Sequence, residues 1–283
     1  MHPNPTPARR LWEAIEPLHA LVYFAPEPAG AAKALGLRGW WMCYFAGRVA
    51  PLGPLGPAPV TSMFFGFAPR MVARALPDAW KYAEPAAVLG AWMGGAEAAL
   101  ERALPKHDCE ELAGLLERAV GACRFEGRPL AAGWAQVQRP AGILGRLWLA
   151  ATVLREHRGD GHVVAAVHAG LRGLDTTLTH VATRAVGREW LQRARGWSDD
   201  EWDDASQSLV ARGLLDEAGR LTESGEAKRR AVEDATDRLA EDPVAELGES
   251  GVERVVALAA PLSRHLVDGG AFPVPNPIGA PRP

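Results

Sequence analysis

The sequence predicts a mainly α-helical protein built as two related helical halves, an internal duplication. Three observations carry this reading. Apolar residues recur at three- and four-residue spacing along most of the chain, the runs end at glycine or proline, and short blocks recur in the same order in both halves. The alternation that marks half-buried strands is scarce. At 283 residues, 48% hydrophobic and 23% charged, the chain is long and apolar enough for a substantial core.

The first run, LWEAIEPLHALVYF (11–24), places Leu11, Ile15, Leu18, Leu21 and Val22 on one stripe and predicts a first helix. Runs at 85–104 and 108–123 have the same spacing and complete an N-terminal half, residues 1–123. RFEGRPLAAGWAQVQRPA (124–141) reads as a linker. The C-terminal half, 142–269, carries helical runs at 141–157, 162–172, 224–240 and 251–268. The proline-rich tail GAFPVPNPIGAPRP (270–283) cannot hold a helix and is expected to be loosely attached. Between the halves, AGRVAPLG (46–53) answers AGLRGLD (169–175), and VARALPDAW (72–80) answers QRARGWSDDEW (192–202) at a nearly constant offset. A glycine-containing turn precedes each first block, LGLRGWWM (35–42) and HRGDGHVV (157–164).

Charge and cysteine usage bound the partners. A net charge of −3 gives no general attraction for nucleic acid or anionic membrane. Cys43, Cys109 and Cys123 are odd in number and form no CxxC pair, as expected of reduced thiols. The start, MHPNPTPARR, lacks the apolar core of a signal peptide, and Arg48 with several prolines interrupts the most apolar region. A cytoplasmic protein with no membrane partner is expected. No GxGxxG, GxxxxGK[ST], GxSxG or HExxH pattern occurs, so nucleotide cofactors and the familiar hydrolase and zinc-protease chemistries have no support. The cofactor is left unknown and association into homo-oligomers is left open.

Residues 197–240 read as a helix, two short strands and a long helix. Ser198 is a good N-cap, and Asp199, Asp200 and Glu201 complement the positive helix start. Arg212-Gly213 closes that helix, and Leu214-Leu215 pairs with Arg220-Leu221-Thr222 across the Asp216–Gly219 turn as a small β-wing. With RGLL (212–215) and LTESG (221–225), this stretch resembles the winged helix of MarR-type regulators. YFAPE (23–27), FAGRVAPLG (45–53), REHRGDGH (155–162) and RGWSDDEW (195–202), in that order, are similar to a family of duplicated winged-helix-related proteins from actinobacteria. The resemblance implies a helix-turn-helix scaffold and no particular activity. The recognition helix would carry Asp199, Asp200, Glu201, Asp203 and Asp204 against Arg212 alone, a charge that opposes phosphate. DNA is therefore not expected as a partner. Two alternatives stand beside this: a regulator that binds DNA through Arg184, Arg188, Arg193 and Arg195, and a protein–protein interaction module docking through its acidic helix.

The densest chemistry lies in REHRGDGH. Gly159 and Gly161 are expected to turn the chain sharply between two helices. One reading makes Asp160 the cap of the second helix, with His157 and Arg158 as cations closing the first. The other makes His157, Asp160 and His162 an acid–base or orienting group without a metal, since imidazole exchanges protons near neutrality and a carboxylate fixes its tautomer. Glu156, Arg158, His168 and Arg172 are candidate ligand contacts beside it, and Asp175 and His180 follow; His168 and His180 are the weaker candidates, since a histidine on an apolar face is more often a hydrogen-bonded core residue. In the first half, Tyr44, Arg48, Phe64 and Phe65 are candidates for the opposite wall. Arg48 sits among Trp40, Trp41, Met42 and Phe45 and needs a partner, either an anionic ligand group or a carboxylate such as Glu27. The function expected is a small-molecule-binding protein with a partly apolar ligand between the halves; whether it is an enzyme is left open.

Overall fold

A computed structural model of the chain describes residues 5–105, 108–274, 276, 278, 280, 282 and 283. Among these, fourteen α-helices follow one another: α1 (Pro7–Ala20), α2 (Pro26–Ala34), α3 (Gly39–Val49), α4 (Pro57–Met63), α5 (Pro69–Ala73), α6 (Pro85–Ala103), α7 (Glu110–Gly121), α8 (Pro129–Ala135), α9 (Ile143–His168), α10 (Gly173–Ala182), α11 (Arg188–Arg195), α12 (Asp199–Ala211), α13 (Glu223–Arg238) and α14 (Glu241–Asp268). The chain's many prolines start helices more often than they break them. Helices α1, α2, α4, α5, α6 and α8 each have proline in the first turn, where no amide partner is lost and φ is already set.

The mainly helical class holds, and four local expectations are corrected. The glycines of REHRGDGH make no turn, because α9 runs unbroken for 26 residues through both of them. Gly161 instead permits close packing: a Cβ there would lie 3.3 Å from the Leu239 Cβ at the end of α13. The β-wing is also absent as strands among the described residues. A single bridge joins Leu215 and Leu221, since Thr222 already caps α13 and leaves no residues to extend a ladder. The stretch expected as a linker contains α8, which packs on α9. In the tail, Phe272 is fully buried edge-on to Phe24 (5.5 Å between centroids), and Arg282 bonds Asp268 at 2.8 Å, so these residues are held rather than loose.

Two apolar cores form, and they do not follow the division at residues 124–141. The larger takes in α1, α3, α6, α7 and the first half of α9, and α14 returns to it by packing on α1 and α7. The smaller gathers the end of α9 with α10, α12, Leu214, Leu215 and α13. One local pattern recurs across them. Residues 36–39 and 170–173 both read GLRG; Gly36 and Gly170 take left-handed φ values of +90° and +73°. The next leucine is buried each time, with its amide bonded back into the preceding helix (Leu37 to Ala32 at 3.2 Å, Leu171 to Ala166 at 3.0 Å). The arginine then precedes a new helix, α3 or α10. This register differs from the one read in sequence: AGRVAPLG ends α3, whereas AGLRGLD opens α10.

Candidate functional site

Between the cores lies a cavity of about 490 Å³, the size of a small-molecule site. Helices α1 and α3 and the 63–67 segment form one side, the middle of α9 forms the floor, and α10, α11 and α13 form the other side.

On the first side, Arg48 finds its partner in Glu156 rather than Glu27. The guanidinium bonds both carboxylate oxygens, at 2.6 and 2.8 Å, and donates to the Tyr44 hydroxyl at 2.8 Å. Glu27 bonds Arg102 instead. Burial alone would raise the Glu156 pKa, but Arg48 and Arg155 pull it down to about 2. Arg155 reaches Glu156 at 2.9 Å and Glu16 at 3.4 Å, and Trp12 donates to Glu16 at 2.6 Å. A second network crosses the opening: Arg9 bonds Glu233 (2.6 Å) and Asp237 (3.2 Å), and Arg158 bonds Asp237 (2.5 Å) with its guanidinium 4.9 Å from the Trp12 ring.

The three residues expected as an acid–base group do not converge. His157 points away from the cavity and takes a hydrogen bond from Arg128 (2.6 Å), which also binds the His157 carbonyl and, at 2.7 Å, the Leu239 carbonyl that ends α13. Burial and Arg128 depress its pKa to about 4, so it is a neutral acceptor. Asp160 lines the cavity but caps a helix other than the one expected: its carboxylate accepts the Ala131 amide of α8 at 3.0 Å. Burial, reinforced by Glu156 one turn away, raises its pKa to about 7. His162 also faces the cavity. Thr236 spends its hydroxyl hydrogen on the Val232 carbonyl (2.7 Å), so His162 Nδ1 donates to Thr236 (3.0 Å) and Nε2 is left as an acceptor. Among the described residues, no three His, Cys, Asp or Glu side chains group so as to hold a metal ion.

Phe64, Phe65, Tyr44, Arg48, Glu156 and Arg158 all line the cavity. His168 and Arg172 do not. His168 lies exposed at the end of α9, and Arg172 donates its amide to Asp175 (3.0 Å) at the start of α10. Sequence reasoning missed Glu16, Arg155, Arg229 and Glu233, and it took Arg195 for an exposed cation. The spacing Arg229-x₃-Glu233, one turn on α13, was the available signal.

Above the cavity, α11 and α12 are joined by only three residues, Gly196 to Ser198. Gly196 takes φ +77°, and its amide and that of Trp197 close on the Gln192 carbonyl at 2.9 and 3.2 Å. Ser198 and Glu201 form a reciprocal capping box at the start of α12. Two helices joined by so tight a glycine turn, braced by α10, define a helix-turn-helix unit. Residues 8–273 match the profile of a helix-turn-helix family, and the chain belongs to it. No curated protein and no solved structure matches the chain.

This membership points to DNA binding and corrects the expectation that DNA is not a partner. The acidic start of α12, which prompted that expectation, is partly neutralised within the fold. Arg70 of α5 clasps Glu201 at 2.8 and 2.5 Å, and Arg188 of α11 reaches Asp203 at 3.0 Å and Asp199 at 3.8 Å. Among the described residues, no helix is long and apolar enough to cross a membrane.

Proposed function

We propose that this chain is a DNA-binding regulator whose cavity holds a small-molecule effector. The observation that carries the reading is the three-residue turn at Gly196, which sets α12 as a recognition helix above a cavity walled by the same unit. Exposed Arg184 precedes α11, the helix that would cross the phosphate backbone, and exposed Arg193 lies in its last turn. The repeated GLRG turn supports a diverged duplication in which α3 to α6 correspond to α10 to α13; only the second copy keeps a full-length recognition helix. The single bridge at Leu215 and Leu221 then corresponds to a shortened wing.

The cavity supports the effector half of this reading. It abuts Arg195, the last residue of α11, whose carbonyl accepts the Ala68 amide at 2.9 Å. Trp197 donates to the Gly66 carbonyl at 2.9 Å from the turn itself. A ligand that moved the 63–67 segment would thus move the helix-turn-helix turn.

Fluorescence anisotropy on duplex DNA from upstream of the chain's own gene tests the reading. Binding should weaken with salt at a slope of about −2 in log K against log [salt], as two arginine–phosphate contacts give. Replacing Arg184 and Arg193 by alanine should flatten that slope. Absence of binding at low salt, or binding indifferent to salt, would overturn it.

A further inference from the structure

His162 presents the cavity with a hydrogen-bond acceptor that the protein does not use. The residue is half-buried on α9 and lines the cavity. Its Nδ1–H is donated to Thr236 of α13, whose own hydroxyl hydrogen goes to the Val232 carbonyl, so Nε2 keeps a bare lone pair. No donor among the described residues reaches that nitrogen. Burial, aided by Arg158, Arg229 and Arg9, lowers the His162 pKa against the opposing pull of Glu233, so the ring is a neutral acceptor.

The two charged clusters of the wall do not ask for an ion. Arg48 and Arg155 hold Glu156 and Glu16, and Arg9 and Arg158 hold Glu233 and Asp237. A ligand anion beside either cluster meets carboxylates, a ligand cation meets guanidiniums, and each would unbalance a buried pair. Rings are what this wall offers a ligand. Trp12, Tyr44, Phe64, Phe65 and Phe67 all line the cavity. The Arg158 guanidinium lies 4.9 Å from the Trp12 ring and that of Arg48 4.4 Å from the Phe64 ring. Aromatic rings and planar guanidiniums both pack well against a flat π system.

We infer that the effector is an uncharged, flat aromatic molecule whose hydroxyl or N–H group donates to His162 Nε2 while its rings pack against the aromatic side of the cavity. This rests on the reading of the cavity as an effector site. A donor at Nε2 also polarises the imidazole and strengthens its bond to Thr236, which couples the ligand to α13 and the smaller core.

Three probes built on one carbon skeleton separate the donor from the rings. 2-Naphthol has both, 2-methoxynaphthalene lacks the donor, and decahydro-2-naphthol keeps the hydroxyl but is not flat. In calorimetric titrations of the full chain, 2-naphthol should bind one-to-one, and each of the others about tenfold more weakly, as one lost hydrogen bond gives. His162→Leu should weaken 2-naphthol by the same factor and leave 2-methoxynaphthalene within twofold. His162→Gln, which offers an acceptor and a donor, should restore most of the loss; should the leucine variant not fold, the three probes on the wild type still decide. Equal binding of 2-naphthol and 2-methoxynaphthalene would overturn the donor, and equal binding of decahydro-2-naphthol would overturn the flat body. Tighter binding of 2-naphthoate than of 2-naphthol would overturn the uncharged ligand. Binding of no probe would overturn this inference and leave the DNA-binding reading standing. Bound 2-naphthol that leaves affinity for duplex DNA unchanged would instead overturn the effector reading.

Discussion

Asp160 shows how one residue acquires a role that its neighbours in sequence do not disclose. Its carboxyl is buried, sits a turn from Glu156, and is held at about 7 against an ordinary value of 3.8. The native state therefore binds a proton that the unfolded chain releases between those values. The stability it contributes is complete below pH 4 and is lost as the pH rises to 7. His157 and His180, both held at about 4 by burial, act in the opposite sense, since their unfolded forms bind protons up to about 6.5. An Asp160→Asn variant keeps an acceptor for Ala131 and removes the charge, and the histidines cancel in the difference. Its melting temperature relative to wild type should rise by several °C from pH 4 to pH 7 and then level off, as a few kcal/mol would give. A flat difference across that range, measured by thermal melts in matched buffers, would remove the assignment. In sequence, Asp160 is legible as a cap; that it caps α8 rather than its own helix is a tertiary fact with no local signal.

Among the elements, the joint between the 63–67 segment and the helix-turn-helix unit is the most demanding. A Cβ on Gly173 would overlap the Phe65 carbonyl oxygen, and one on Gly196 would overlap the flexible Met71 side chain. Backbone yields less readily than a methionine, so Gly173→Ala should cost on the order of 2–4 kcal/mol, whereas Gly196→Ala displaces a movable side chain and adds about 1 kcal/mol for its left-handed φ; denaturant melts should show Gly173→Ala as the more damaging, and the reverse order would contradict this. The sequence showed α6, α7 and α13 nearly to the residue because each presents an apolar stripe over several turns. It misplaced the ends of α9 because two glycines looked like a turn, whereas each costs only about 1 kcal/mol inside a helix that packing sustains on both sides. The helices α4 and α5 are too short, at seven and five residues, to show a period at all.

For the whole molecule, the sequence division into successive halves fails because α14 returns to pack on α1, far away in the chain. Its Val252, Val255, Ala259 and Leu266 are buried in the larger core, and Ser263 bonds the Ala14 carbonyl at 2.6 Å. A chain ended after Leu239 should therefore lose the larger core rather than trim a tail, and it should be recovered insoluble or without near-ultraviolet dichroism. Recovery of a folded, soluble fragment would contradict this packing. The helix-turn-helix unit is thus inserted within the body, not appended to it. Helix α9 carries side chains of both cores on one rod, and only Leu239 and Ala240 separate α13 from α14. Such a reading head is no detachable cassette: exchange of it between relatives requires two crossovers, one of them inside a helix, so its specificity is expected to drift by point substitution rather than by the shuffling of modules.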